Sequence, residues 1–277
     1  MRKEYKSAPL PFMGQKRMFA TEFKKVIEHY PDGTTFVDLF GGSGLLSHIA
    51  KCTKPNSKVI YNDFDNYRER LGHIKHTNEL LTELRAILKD TPRAAMVKGK
   101  TRQAVIDCVE RHLNTHKYVD FITLSASLMF SMKYCLSLDD LRKEGIYNKV
   151  RKNNYADCND YLDGLTIVSD NYKKVFEKYK THNVVFLIDP PYLSTDTCTY
   201  KMNWNLSDYL DVLTLLPEHA FIYFTSNKSS LIELCQWIGR NQGIGNPFEQ
   251  CTKVEFNAQM NYNSRYTDMM LYTKPFK

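Results

Sequence analysis

The chain has 277 residues, 43% of them hydrophobic and 25% charged, an ordinary globular composition that excludes a disordered chain. A formal charge of +7, from 38 Lys and Arg against 31 Asp and Glu, hints at a polyanionic partner and proves none. Seven cysteines, an odd number with no CxxC pair, argue against a disulfide framework or structural zinc and suit a reducing, cytosol-like compartment.

Met1-Arg2-Lys3-Glu4-Tyr5 has no apolar core of a signal peptide, and no internal repeat suggests a solenoid. Thr34–Leu39 predicts a short buried strand, followed at once by Gly41, Gly42 and Gly44, and Leu45–Lys51 a helix. Ser57–Asn62 is the next predicted strand and ends on Asp63, so the chain opens as a βαβ unit. From about 64 to 163 the pattern turns helical: Asn78–Leu88, Gln103–Leu113 and Val119–Met132 carry apolar residues at i, i+3 and i+4. The apolar run Phe121–Leu138 is broken by Thr123, serines and Lys133, which predicts a buried helix rather than a membrane span. Lys98–Arg102 reads as a basic surface loop, and Tyr147–Asn159 as an exposed basic and aromatic loop or hairpin. Strands resume at Asn183–Ile188 and Ala220–Thr225, continuous apolar runs of the buried parallel kind, and Thr267–Thr273 suits a last strand.

Two motifs carry chemistry. Phe40-Gly41-Gly42-Ser43-Gly44 lies between strand and helix, where glycine lets a ligand approach the backbone and the helix start offers free N–H groups. Asp63, 21 residues past Gly42, stands where a carboxylate accepts from ribose hydroxyls. The pattern is not GxGxxG, which favours a nucleoside-bearing ligand other than a dinucleotide. The second motif, Asp189-Pro190-Pro191-Tyr192, follows a predicted strand. Its prolines make a rigid turn without N–H donors, so a carbonyl and the Asp189 carboxylate can each take one N–H of an exocyclic amine, while Tyr192 offers a face for a base. A plain strand-ending turn has no need of Pro-Pro and an aromatic.

In that order the motifs resemble the S-adenosylmethionine-dependent adenine-N6 DNA methyltransferases of the α group, most like the Dam type. Pro11-Phe12-Met13-Gly14-Gln15-Lys16 resembles the N-terminal Dam motif, and Phe221–Asn227 and Thr267–Thr273 are weaker likenesses. The resemblance covers Pro9–Asp65 and Gly164–Thr273. It implies a Rossmann-like α/β class I methyltransferase with a mixed, mostly parallel seven-stranded sheet, helices on both faces and a mainly helical insertion. The catalytic domain would be 1–63 and 164–277, and 64–163 an insertion serving as target-recognition lobe, although no clear recognition hairpin is found there.

The resemblance further implies that Asp189, Pro190, Pro191 and Tyr192 are catalytic. Phe12, Met13, Gly14 and Lys16 would border the methionine end of S-adenosylmethionine, with Lys16 near its carboxylate. Asp38, Phe40, Gly42, Ser43 and Gly44 would line it, Asp63 would hold the ribose, and Phe64 would pack on its adenine. Asp170 would contact that adenine, with a helix N-cap as the equal alternative. Neither a metal nor a covalent enzyme intermediate is expected. Of eight histidines only His112 and His116 have ligand-like spacing, i and i+4, which reads as coincidence.

Tyr147, Lys149, Arg151, Lys152 and Asn154 interleave cations, amides and rings as DNA contacts do, and Asn261, Asn263 and Arg265 lie in a polar segment, Asn257–Arg265, that the family makes a mobile loop near DNA. Lys173, Lys174, Lys178 and Lys180 read as a solvated helix face. The expected activity is methylation of N6 of a flipped adenine in double-stranded DNA. The partner is that DNA, in a cytoplasmic and nucleoid-associated protein, monomer or weak dimer on DNA, without membrane attachment, solitary or paired with a restriction nuclease. Methylation of structured RNA and a catalytically silent DNA-binding relative are the alternatives. The charge surplus should gather around Lys149–Asn154 and Asn257–Arg265.

Overall fold

The computed structural model describes residues 3–130, 133–181, 183–191, 204–217, 219–241, 245–261 and 264–274, with backbone only at 258–261 and 264–265. Along the chain lie α1 (Ala20–Glu28), β1 (Thr35–Asp38), α2 (Leu45–Thr53), β2 (Val59–Asn62), α3 (Tyr67–Gly72), α4 (Ile74–Ile87), α5 (Gly99–His116), α6 (Phe121–Leu128) and α7 (Leu138–Lys143). Then come β3 (Thr166–Val168), α8 (Tyr172–Tyr179), β4 (Val184–Ile188), α9 (Leu206–Leu213), β5 (Ala220–Ser226), α10 (Leu231–Asn241), β6 (Thr252–Asn261) and β7 (Ser264–Tyr272). The chain divides into two compact units, 1–7 with 14–67 and 160–277, and 8–13 with 68–159.

The first unit is built on one sheet in the order β3-β2-β1-β4-β5-β7-β6. Strands β1 to β5 pair in parallel and β7 is antiparallel to both neighbours, so β7 alone is reversed. Successive side chains of a strand face opposite ways. Phe36, Val185, Leu187, Ile222 and Phe224 therefore pack in one core with Phe23 and Ile27 of α1 and Leu46 and Ile49 of α2. Val37, Phe186, Ile188, Phe221 and Tyr223 pack on the other face with Phe176 of α8, Val212 of α9 and Cys235 of α10. With both faces covered, the strands need apolar residues at every position, which is why they read as continuous apolar runs.

The second unit has its own core. Leu80, Leu81 and Leu84 of α4 meet Val105, Ile106 and Val109 of α5, Leu124 and Leu128 of α6, and Leu141 of α7. Inside it Arg70 Nε donates to both Asp120 oxygens at 3.1 Å, and Asp120 caps α6 by accepting from the Thr123 N–H at 3.0 Å. No described helix is long and apolar enough to cross a membrane, and none of the six described cysteines is in a disulfide.

Several predicted elements differ. The helix expected over Val119–Met132 stops at Leu128, because Tyr147 and Lys149 donate their N–H groups to the carbonyls of Leu128 and Ser127. Of the two forms expected for Tyr147–Asn159, loop or hairpin, the chain takes the loop, with Tyr147 bridged to Met96. Gly99–Arg102 is not loop but the first turn of α5. Asn257–Asn261 and Ser264–Arg265 are not loop either: they lie in the antiparallel strands β6 and β7, with Asn257 paired to Thr267 and Gln259 to Arg265.

Candidate active site

Strand order fixes where a ligand crevice opens. From β1 the chain steps outward to β2 and β3, then returns to β4 on the other side of β1. Neighbouring strands left in opposite directions open a crevice at their carboxyl ends. At that switch point β1 ends on Asp38 and the glycine turn, while β4 ends on Ile188 and Asp189; Asp38 pairs with Leu187 in register.

The turn is shaped by its glycines. Gly42 and Gly44 adopt φ of +49° and +72°, and Gly44 is the N-cap residue of α2. A Cβ on Gly41 would strike the Tyr61 ring and lie 2.7 Å from the Asn62 carbonyl. The Tyr61 hydroxyl donates to the Gly42 carbonyl at 2.8 Å, and the Tyr161 hydroxyl to the Ser43 carbonyl at 3.0 Å. Phe40 lies half-buried, its ring 5.0 Å from that of Tyr172 and 5.5 Å from that of Trp204.

Four carboxylates stand near strand ends. Asp38 is fully buried; Oδ2 accepts from Ser47 Oγ at 2.7 Å, whereas buried Oδ1 has no partner of ordinary geometry among the described residues. Burial pushes its carboxyl up to about 7, against the Ser47 hydrogen bond and helped by the charge of Asp189. Asp63 is buried after β2, its Oδ1 accepting from the Tyr67 N–H at 2.6 Å and the Tyr61 hydroxyl at 3.1 Å, so it is not the solvated acid of a plain turn. Asp170 follows β3, where its N–H and carbonyl both bond the Asn62 side chain. It does not cap α8: Asn171 does, accepting from the Lys173 N–H.

Asp189 Oδ2 lies 2.7 Å from Lys16 Nζ, and Lys16, only 8% exposed, also donates to the Gly14 carbonyl at 2.7 Å. Burial raises the Asp189 carboxyl above the ordinary carboxylate range, and the Lys16 cation opposes that rise. Lys16, expected beside a cofactor carboxylate, is thus engaged by the carboxylate of the tetrapeptide. Pro190 and Pro191 are buried, and Phe64 is half-buried just past Asp63. Tyr192 lies outside the described residues.

Phe12 and Met13 belong to the second unit, half-buried. So do Tyr147 and Lys149, which gather at exposed Phe130: its ring meets Tyr147 edge-on at 4.5 Å, with Lys149 Nζ 5.9 Å above it. Arg85 donates to the Arg151 carbonyl and to Asn154 Oδ1, while the Arg151 guanidinium lies 3.8 Å over Tyr155. Lys152 is exposed. Asn261 and Arg265 are described by backbone alone, in β6 and β7, and Asn263 is outside the described residues. Sequence reading missed Ser47, Tyr61 and Asn62, the last of which also donates to the Leu39 carbonyl and so joins three strand ends. A tyrosine in a buried strand needs a hydroxyl partner, and that was the one available signal.

Residues 12–213 match the model of the D12 class N6 adenine-specific DNA methyltransferase family. A Haemophilus influenzae protein described as a "Putative methyltransferase" is 35% identical over 281 residues, 98% of this chain and 93% of its own. The chain belongs to the D12 class of N6 adenine-specific DNA methyltransferases. Among solved structures, a Pyrococcus horikoshii protein described as a "putative RNA methyltransferase" is similar at TM-score 0.40 and 10% identity, over 95% of this chain and 87% of that one.

Proposed function

We propose that the protein transfers a methyl group from S-adenosylmethionine to N6 of an adenine flipped out of double-stranded DNA. The observation that carries this reading is the Asp189 carboxylate, held by buried Lys16 one strand away from the glycine turn. The residues present fit the cofactor: a left-handed glycine turn at the start of α2, an orphaned buried oxygen on Asp38, and a buried carboxylate at the end of β2. Gly42, Ser43, Gly44 and Phe40 would line it, Asp63 would hold its ribose, and Phe64, Asp170 and the Phe12–Lys16 segment would border it. Bound there, it supplies an electrophilic methyl whose bond to sulfur breaks as the bond to N6 forms.

The protein's task is positioning. With Oδ2 on Lys16, Asp189 Oδ1 takes one amine N–H and the Pro190 carbonyl the other, which aims the nitrogen lone pair along one line. Holding two reactants in line can supply about 7–11 kcal/mol of the barrier. The amine proton becomes acidic only as the methyl arrives, and it then passes to Asp189 or to water. Flipping costs a few kcal/mol, of which stacking on Tyr192 would return about 1–3 kcal/mol. Lys149, Arg151, Lys152 and Asn154, with Tyr147, would contact the duplex, joined by Asn261, Asn263 and Arg265. Purified protein with radiolabelled cofactor and duplex DNA, single-stranded DNA or structured RNA tests the proposal. Label should enter duplex DNA as N6-methyladenine. Label in RNA alone, or in nothing while the cofactor still binds, overturns it.

A further inference from the structure

The helical unit holds a cluster that the methyl-transfer reading leaves unused. His112 and His116 share a face of α5, four residues apart, and His76 and Glu79 share a face of α4, three apart. The fold brings these faces together. Ligand atoms of His76, Glu79 and His116 all lie within 4.8 Å of one another. The His76 and His116 rings are 4.3 Å apart, His112 is 4.3 Å from His116, and His116 Nε2 is 3.9 Å from Glu79 Oε2. His73 Nδ1 bonds His76 Nδ1 at 3.3 Å and so fixes that ring from behind, as a neighbouring group does for a metal-bound histidine. Beside the cluster, a cavity of about 10 Å³ lined by His76, His112, Tyr118 and Asp120 has room for one water.

Clustered imidazoles are a poor way to join two helices. Each one protonated repels the rest. The other acid on this side, Glu83, is occupied by Arg111 at 2.6 Å. Glu79 makes no approach closer than that to His116 among the described residues. Moreover, His116 ends α5, where unpaired carbonyls favour a cation.

We propose that His76, Glu79 and His116 form a site for a first-row divalent cation of the zinc type, clamping α4 to α5. Two neutral imidazoles and a carboxylate, with water at the fourth position, suit such an ion. Metal–ligand bonds of about 2.0–2.2 Å put tetrahedral ligand atoms about 3.3–3.6 Å apart, so the cluster must tighten by about 1 Å, which half-exposed side chains can do.

The test uses the full chain, stripped with chelator and titrated with Zn²⁺, Co²⁺, Mg²⁺ or Ca²⁺. At a hundredfold excess over Kd, Zn²⁺ should raise the unfolding midpoint by about 5–10 °C. Mg²⁺ and Ca²⁺, which prefer oxygen ligands, should leave it in place. Co²⁺ should show visible bands without the intense near-ultraviolet absorption of thiolate ligands. His116→Ala should abolish the Zn²⁺ shift and Glu79→Gln should weaken binding about tenfold or more. Glu79 is exposed, so the second variant serves should the first fail to fold. An unchanged Zn²⁺ shift in both variants, thiolate bands with Co²⁺, or no shift at all would each overturn the proposal.

Discussion

Asp38 and Asp189 end neighbouring parallel strands, and burial raises both carboxyls. For Asp38 the unfolded chain releases its proton near 3.8 and the folded chain near 7, so stability is lost as pH rises through that window. Asp38→Asn removes the penalty. Thermal unfolding should find it more stable than the parent by about 2–4 kcal/mol at pH 8 and nearly equal to it at pH 4, while cofactor affinity falls. If Asp189 accepts the amine as proposed, its ionised form is the better acceptor, and the methylation rate should fall as pH drops. Lys16→Gln removes the cation that favours ionisation, and the acid limb of its pH–rate profile should move to higher pH. A limb unmoved in that variant argues that the ion pair does not tune the site. Asp189→Ala should lower turnover by about 10²–10⁴-fold with the cofactor still bound.

The glycine turn is where element geometry decides. Gly41→Ala drives a methyl into the Tyr61 ring and the Asn62 carbonyl, a backbone that β2 holds in place. It should cost about 1–3 kcal/mol in denaturant unfolding and lower cofactor affinity more than Gly72→Ala, where a Cβ meets nothing and φ is not left-handed. The turn was legible because glycines, strand and helix are contiguous, and β1, β2, β4 and β5 because doubly covered strands are largely apolar, as is the buried Met269–Leu271 stretch of β7. The edge strand β6 was not: Val254 and Phe256 alternate with Lys253, Glu255 and Asn257 as in a half-buried strand, but the run is short and passes straight into the amide-rich Asn257–Asn261, which hides its period. Strand β3 is three residues long and largely uncovered, too short for periodicity. The Lys16–Asp189 pair and the histidine cluster join residues far apart in sequence, and only the packed fold brings them together.

Across the whole molecule the positive charge is unevenly shared. Residues 68–159 hold 17 Lys and Arg against 11 Asp and Glu, six of the chain's seven surplus charges, and leave the sheet-bearing unit nearly neutral. Part of that surplus is Lys149, Arg151 and Lys152. If they neutralise phosphates, the log–log slope of DNA affinity against salt should lose about 0.9 per contact, so Arg151→Gln with Lys152→Gln should flatten it by about 2. An unchanged slope would make those charges incidental. The place of β7 has a consequence for biosynthesis. β7 is made after β6 yet lies between β5 and β6, so a product cut short before Ser264 strands β6 and bares the flank of β5. That flank, Ala220–Ser226, is an uncharged, wholly buried β-former, the kind of segment that templates aggregation. Prematurely terminated chains should therefore precipitate or be degraded rather than persist as soluble partial enzymes.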